Sequence, residues 1–275
     1  FRNALLVYRS ADISLNWKVK DAWYMTQKFI LFMLLGFIFW NDTMATHLMG
    51  GNIGYDFIGT LPNGQKRYRI YLFIYRDCDN GQAPFDNPLP LAVFDASTNQ
   101  CVQSLQVNFL NSNIRNVTPN ISSNCPPNTL PSYCIEQGYY ETTVDLPVST
   151  RGYHIVYERC CRNNAILNVA QSQGQTYTAF IPNTNFNNSS PRFSDVPVPF
   201  MCTNDTVTLN NSATDRDGDS LVYSFVHPYA GGSTGNPTPQ YNIGDVLNPP
   251  QPITYNPNFS TNFPFGPTGY NFIDP

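Results

Sequence analysis

The chain has 275 residues, room for one or two domains, and a net charge of −4 with only 12% of its residues charged. It is not basic, which argues against a nucleic-acid partner. Aromatic residues make up 14%, and Pro, Gly and Asn are abundant while long Ala/Glu/Lys/Leu stretches are missing, the composition of a β-sandwich and not of a helical protein.

The first stretch reads as a processing segment. Met25-Thr26-Gln27-Lys28 leads into an apolar run from Phe29 to Trp40, and small residues follow up to Ala45. A short basic start, an apolar core of 12 residues and a small residue at the cut site form the pattern of a secretory signal peptide. A transmembrane helix needs about 20 apolar residues; a longer signal-anchor segment is the alternative. Residues 1–24 then read as an upstream extension outside the mature protein, residues 25–45 as the signal peptide, and cleavage falls near Ala45. Without residues 1–45 the chain keeps 10 of its 15 basic and 16 of its 19 acidic residues, a net charge of about −6. The expected place is secreted or at the cell surface, with membrane contact only through the export signal.

Along the exported part, Asn52–Ile58 reads as a strand and Leu61-Pro62-Asn63-Gly64 as a hairpin turn. Lys66–Asp77 is the clearest strand. Tyr68, Ile70, Leu72 and Ile74 alternate with Arg67, Arg69, Tyr71, Phe73 and Tyr75, and apolar residues on both faces toward its end predict a central position. Leu91–Asp95, Cys101–Leu110, Cys134–Leu146, Tyr153–Cys161 and Thr176–Ile181 follow, with a long Asn/Ser/Pro loop over Asn111–Ser132. These strands predict a first β-sandwich over residues 46–187. The Asn/Ser/Pro-rich stretch near Asn183–Pro191 reads as a linker. Residues 188–275 then hold the linker and a second, incomplete sandwich, with strands at Thr206–Leu209 and Leu221–Val226.

The sharpest motif is Asp215-Arg216-Asp217-Gly218-Asp219, three carboxylates at alternate positions ahead of the alternating run from Leu221 to Val226. Hard cations take six to eight oxygens, and Asp215, Asp217 and Asp219 can offer three to a structural Ca²⁺. The spacing is not that of an EF-hand loop, whose Gly and Glu stand elsewhere. The bland alternative is an Asp/Gly turn entering a strand.

Seven cysteines follow the leader: Cys78, Cys101, Cys125, Cys134, Cys160, Cys161 and Cys202. Export makes disulfides their default state, and no C-x-x-C pair or Cys/His cluster points to a metal. Cys125 and Cys134, bracketing a Pro-rich loop, are the expected local pair. Cys160 and Cys161, adjacent on a strand, point to opposite faces, so each is expected to bond a distant partner.

Tests for chemistry are negative. No HExxH, GxSxG or phosphate-binding loop is present. His154 lies six residues before Cys160, but a disulfide outweighs a Cys/His nucleophile in such a chain. His47, second-position residue of the mature chain, can bind Cu²⁺ weakly with the free amino terminus, a minor alternative, and His227 before Pro228 carries no assigned role. Glu136, Glu141 and Glu158 read as solvent-face strand residues rather than a glycosidase pair. Tyr139, Tyr140, Tyr153 and Tyr157 can form a sugar-binding platform, though core packing is the favoured reading. Sequons at Asn116, Asn120, Asn188 and Asn204 are what Asn-rich loops produce by chance. The chain is therefore read as a non-enzyme.

Five stretches in one order carry a family resemblance: Ala45–Tyr55 (ATHLMGGNIGY), Tyr71–Cys78 (YLFIYRDC), Tyr157–Asn164 (YERCCRNN), Asn188–Phe193 (NSSPRF) and Ala213–Tyr223 (ATDRDGDSLVY). Together they resemble the N-terminal region of large exported surface proteins of Bacteroidetes. Asn52 departs from the Glu usual there, which weakens any metal role at that position. The resemblance implies Ig-like or PKD-like sandwich repeats, a C-terminal sorting domain of the gliding-motility-associated type B kind, and export by the type IX secretion system. The 188–275 module also looks cadherin-like, with Asn188–Phe193 in the linker place and the Asp set in the turn. The implied function is a structural or adhesive segment of the cell surface, stiffened by Ca²⁺, whose partners are other surface proteins or extracellular polysaccharide. The alternative is a carbohydrate-binding module of a secreted glycan-processing protein.

Overall fold

The fold was analysed in a computed structural model that describes Lys28 and residues 48–78, 84–110, 113–118, 134–162, 166, 168–169, 173–194, 211–224, 226, 228–247 and 251–256. Residues 1–24, all of the leader except Lys28, Thr206–Leu209, Cys125 and Cys202 lie outside them. Apart from Lys28, everything described belongs to the unit Ala45–Pro275.

The protein is all-β, as its composition predicts. One four-stranded sheet contains β1 (Leu48–Thr60), β2 (Lys66–Asp77), β6 (Ile135–Leu146) and β5 (Ile114–Asn116), in that order. The other contains β4 (Cys101–Val107), β3 (Leu89–Asp95), β7 (Tyr153–Arg159) and β8 (Gln175–Ile181). All pairings within both are antiparallel. β2 is central, as its two apolar faces predict. The turn from β1 to β2 closes on Leu61–Gln65, where Gly64 takes a φ of +84° that suits glycine. A second glycine is required at the β6–β7 turn. Gly152 has a φ of +81°, and a Cβ there would lie 2.0 Å from the Ile181 carbonyl oxygen.

Period-2 alternation decides what faces inward. Tyr68, Ile70, Leu72 and Ile74 of β2, Tyr140, Val144 and Leu146 of β6, Leu89, Leu91 and Val93 of β3 and Tyr153, Ile155 and Tyr157 of β7 share one buried core. A smaller cluster of Ala92, Phe94, Cys101 and Val156 lies on the outer face of the second sheet, where Tyr241 and Leu247 pack on it. Tyr241 meets Phe94 edge to face at 5.0 Å and donates to Glu158 at 2.7 Å.

Several expectations are corrected. Cys134 bonds Cys78, not Cys125, because β2 and β6 pair in register up to Asp77 and Ile135 and so bring Cys78 and Cys134 together, with Cα atoms 5.0 Å apart. Cys160 and Cys161 bond each other across a cis peptide bond. β7 ends at Arg159, so the opposite-face argument for two strand residues does not apply to them. Cys101, a disulfide candidate, is a free and buried thiol. A short strand, β5, stands inside the stretch read as loop. The described part of Leu221–Val226 forms no strand, and Val222 is 94% exposed. Among the described residues past 188 the paired strands are two-residue pieces, β9 (Arg192–Phe193) and β10 (Ala213–Thr214). The rest of the described tail lies against the sandwich: Tyr229 accepts from the Thr176 amide and from Arg162, and Asp245 accepts from the Cys101 amide.

Candidate functional site

Four of the five stretches that carry the resemblance meet at one place on the first sheet. β1 is an edge strand, and its outer edge is covered by residues 188–190. Ser190 donates its amide to the Tyr55 carbonyl at 2.8 Å, and the Ser190 hydroxyl accepts from the Tyr55 amide at 2.8 Å. The Ser189 hydroxyl accepts from the Phe57 amide at 3.2 Å. This strap closes an edge that would otherwise present unpaired amides. Gly54 makes room for it, because a Cβ there would sit 2.4 Å from the Tyr71 hydroxyl and 2.7 Å from Ser190 Oγ.

The Asp215–Asp219 turn fastens the strap. Asp217 Oδ2 accepts from the Ser189 amide at 2.5 Å. Asp215 Oδ1 accepts from the amides of Asp217 and Asp219 at 2.9 and 3.0 Å, which shapes the turn, and Gly218 takes a φ of +85°. Burial pushes the Tyr55 hydroxyl up to about 12, and the nearby Asp215 and Asp217 push the same way. Of the six oxygens of Asp215, Asp217 and Asp219, Asp215 Oδ1 and Asp217 Oδ2 accept backbone amides. Among the described residues no group of three or more His, Cys, Asp or Glu is arranged to hold a metal ion.

Beneath the strap lies an ion cluster that the sequence did not single out. Asp56 of β1 is 1% exposed. Its Oδ2 accepts from Arg69 of β2, through Nε at 3.1 Å and through a closer Nη2, and from Arg192 of the strap at 2.5 Å. Burial works to raise its carboxyl, but the two guanidiniums outweigh it and hold the group below its ordinary range. Asp56 Oδ1 is buried without a partner. The Arg192 guanidinium stacks over the Tyr71 ring at 4.7 Å. The available signal was the hairpin pairing: Asp56, set between Tyr55 and Phe57, faces Arg69 on the partner strand.

The other candidates separate. His154 pairs with Phe94 and Phe180 in the second sheet and stacks on Phe180 at 4.8 Å; burial lowers its pKa. Cys160, in a disulfide, has no thiol for it to activate. Glu136 pairs with Arg76 at 2.5 Å and Glu158 takes the Tyr241 hydroxyl, so they hold separate structural contacts. Of the four platform tyrosines, Tyr140, Tyr153 and Tyr157 are core residues. Tyr139 stands half-buried on the outer face of the first sheet, 5.1 Å from Phe73. His47, His227, Asn120 and Asn204 lie outside the described residues. In comparisons with known proteins the chain matches no family model, no curated protein and no solved structure.

Proposed function

We propose that this chain is an exported cell-surface segment of a larger multidomain protein, with a structural or adhesive role and without catalysis. The observation that supports it is the convergence at β1. Asn52–Tyr55, Tyr71, the Asn188–Arg192 strap and the Asp215–Asp219 turn, all from the stretches that carry the resemblance, build one mechanical joint. Their polar groups bind one another and the backbone. The leader pattern and the Cys78–Cys134 bond suit an oxidising place outside the cell. Export by the type IX route and exposure on the outer membrane belong to the same proposal and rest on the resemblance. Ca²⁺ stiffening at Asp215, Asp217 and Asp219 rests on carboxylate chemistry alone.

The test is where the protein goes. The chain joined at its carboxyl end to a type B sorting domain and produced in a Bacteroidetes host is expected in the extracellular or surface fraction, shortened near Ala45 and digestible by protease added to whole cells. Cytoplasmic retention with an intact leader would overturn the reading. The second reading, a carbohydrate-binding module, is favoured by one observation: Tyr139 and Phe73 lie side by side on the outer face of the first sheet.

A further inference from the structure

A cleft of about 350 Å³ opens beside the strap, and among the described residues Arg69, Arg192, Thr214 and Arg216 line it. Three of these four are arginines, and no carboxylate is among them. One buried carboxylate, Asp56, holds Arg69 and Arg192 through a single oxygen. It balances one of the three positive charges. A guanidinium has five N–H donors in a rigid fork. Arg69 uses two on Asp56, and Arg192 uses one there, so each keeps further donors. Arg216 stands exposed on the turn between Asp215 and Asp217, which keep their charges while each accepts from a backbone amide, so it is the guanidinium donors rather than a net positive charge that the cleft offers. The nearest acidic group on β6 is Glu141, which takes the Tyr139 hydroxyl and lies in the field of Arg69.

A row of rings starts beside Arg192; its first member, Tyr71, is buried and the next two, Phe73 and Tyr139, are half-buried. Arg192 stacks on Tyr71, Tyr71 lies 6.0 Å from Phe73, and Phe73 lies 5.1 Å from Tyr139. Pre-oriented guanidiniums match carboxylate and sulfate oxygens, and half-exposed aromatic faces suit the apolar faces of sugar rings. Peptides commonly bind a sheet by adding a strand to an open edge. Here the neighbouring edge of β1 is already closed by the strap. That favours a ligand that needs no backbone pairing.

We propose that the Arg69–Arg192–Arg216 cleft and the Phe73–Tyr139 row bind an acidic polysaccharide, with a sugar carboxylate or sulfate against the guanidiniums and a ring against the aromatic pair. This names a ligand class for the adhesive reading above. It is tested on purified protein, so its failure leaves the export experiment standing, and the reverse.

The experiment measures binding of the full chain to oligogalacturonate, dextran sulfate, neutral dextran and poly-glutamate at low salt. Binding to oligogalacturonate, to dextran sulfate or to both, without binding to neutral dextran, is expected, and the pattern identifies the oxyanion. The affinity falls steeply as salt rises. Arg216→Gln weakens it about tenfold with an unchanged melting temperature, and Tyr139→Ala weakens it as well. Binding to neither charged glycan, equal binding to neutral dextran, or an Arg216→Gln protein that binds like the parent overturns the proposal. Tighter binding to poly-glutamate than to either glycan also overturns it, in favour of an acidic peptide.

Discussion

Asp56 is a charged residue in the wall of an apolar sandwich, and it stays charged because two arginines reach it. A buried, unpaired carboxylate would be neutralised by a raised pKa. Here the hydrogen bonds from Arg69 and Arg192 reverse the sign of the shift. The folded carboxyl therefore titrates below its ordinary 3.8. Its contribution to stability is present above 3.8 and is lost as the pH falls through the lower folded-state value. Urea unfolding from pH 6 down to about pH 2 is expected to show this loss, and Arg192→Gln, which removes one of the two donors, is expected to flatten that limb. Identical acid limbs in the parent and the variant would show that Arg192 does not set the Asp56 charge. The sequence showed Asp56, Arg69 and Arg192 only as scattered charges, 13 and 136 residues apart. What joins them is a hairpin register and a strap, neither of which periodicity reports.

At the scale of elements, the Asp215–Asp219 turn is a fastener for residues 188–190. Replacing Asp217 by Ala removes the acceptor of the Ser189 amide. The cost expected at this exposed site is about 1 kcal/mol, with faster exchange of the Ser190 amide that reaches Tyr55. Repeating the measurement in millimolar Ca²⁺ and in EDTA separates two causes. Equal losses point to the direct hydrogen bond, a loss seen only with Ca²⁺ points to a cation, and unchanged Ser190 exchange in both removes the fastener role. The strands themselves differ in how legible they were. β2 was readable to its ends because alternation over Lys66–Asp77 coincides with core burial. β5 was not, since the three residues Ile114–Asn116 are too few to show a period. Leu221–Val226 shows the opposite error: alternation is clear, yet the described residues find no partner strand, and pairing rather than pattern makes a strand. The Asp turn was visible as a motif, but its partner, the Ser189 amide 28 residues earlier, was not.

Across the whole molecule, one covalent link and one strap tie distant parts of the chain. The Cys78–Cys134 bond spans 56 residues at one end of the β2–β6 pair. Removing it as a Cys78→Ala/Cys134→Ala double variant is expected to lower unfolding free energy by about 2–4 kcal/mol; a loss under about 0.5 kcal/mol in denaturant titration would show that strand pairing alone sets this end. Single-residue reasoning favoured the nearer Cys125 because sequence distance was the only distance available. The strap has a different consequence, one of timing. β1 begins at residue 48, while its cover is Ser190, 135 residues after Tyr55. A chain that emerges amino-terminus first therefore carries a bare, glycine-rich strand edge until most of the described sequence has followed. Closing a loop of that length is slow and non-local. During that interval the same edge is open to the strap of a neighbouring copy as well as to its own. Crowded synthesis would thus favour strap-exchanged pairs, and dilute synthesis closed single chains.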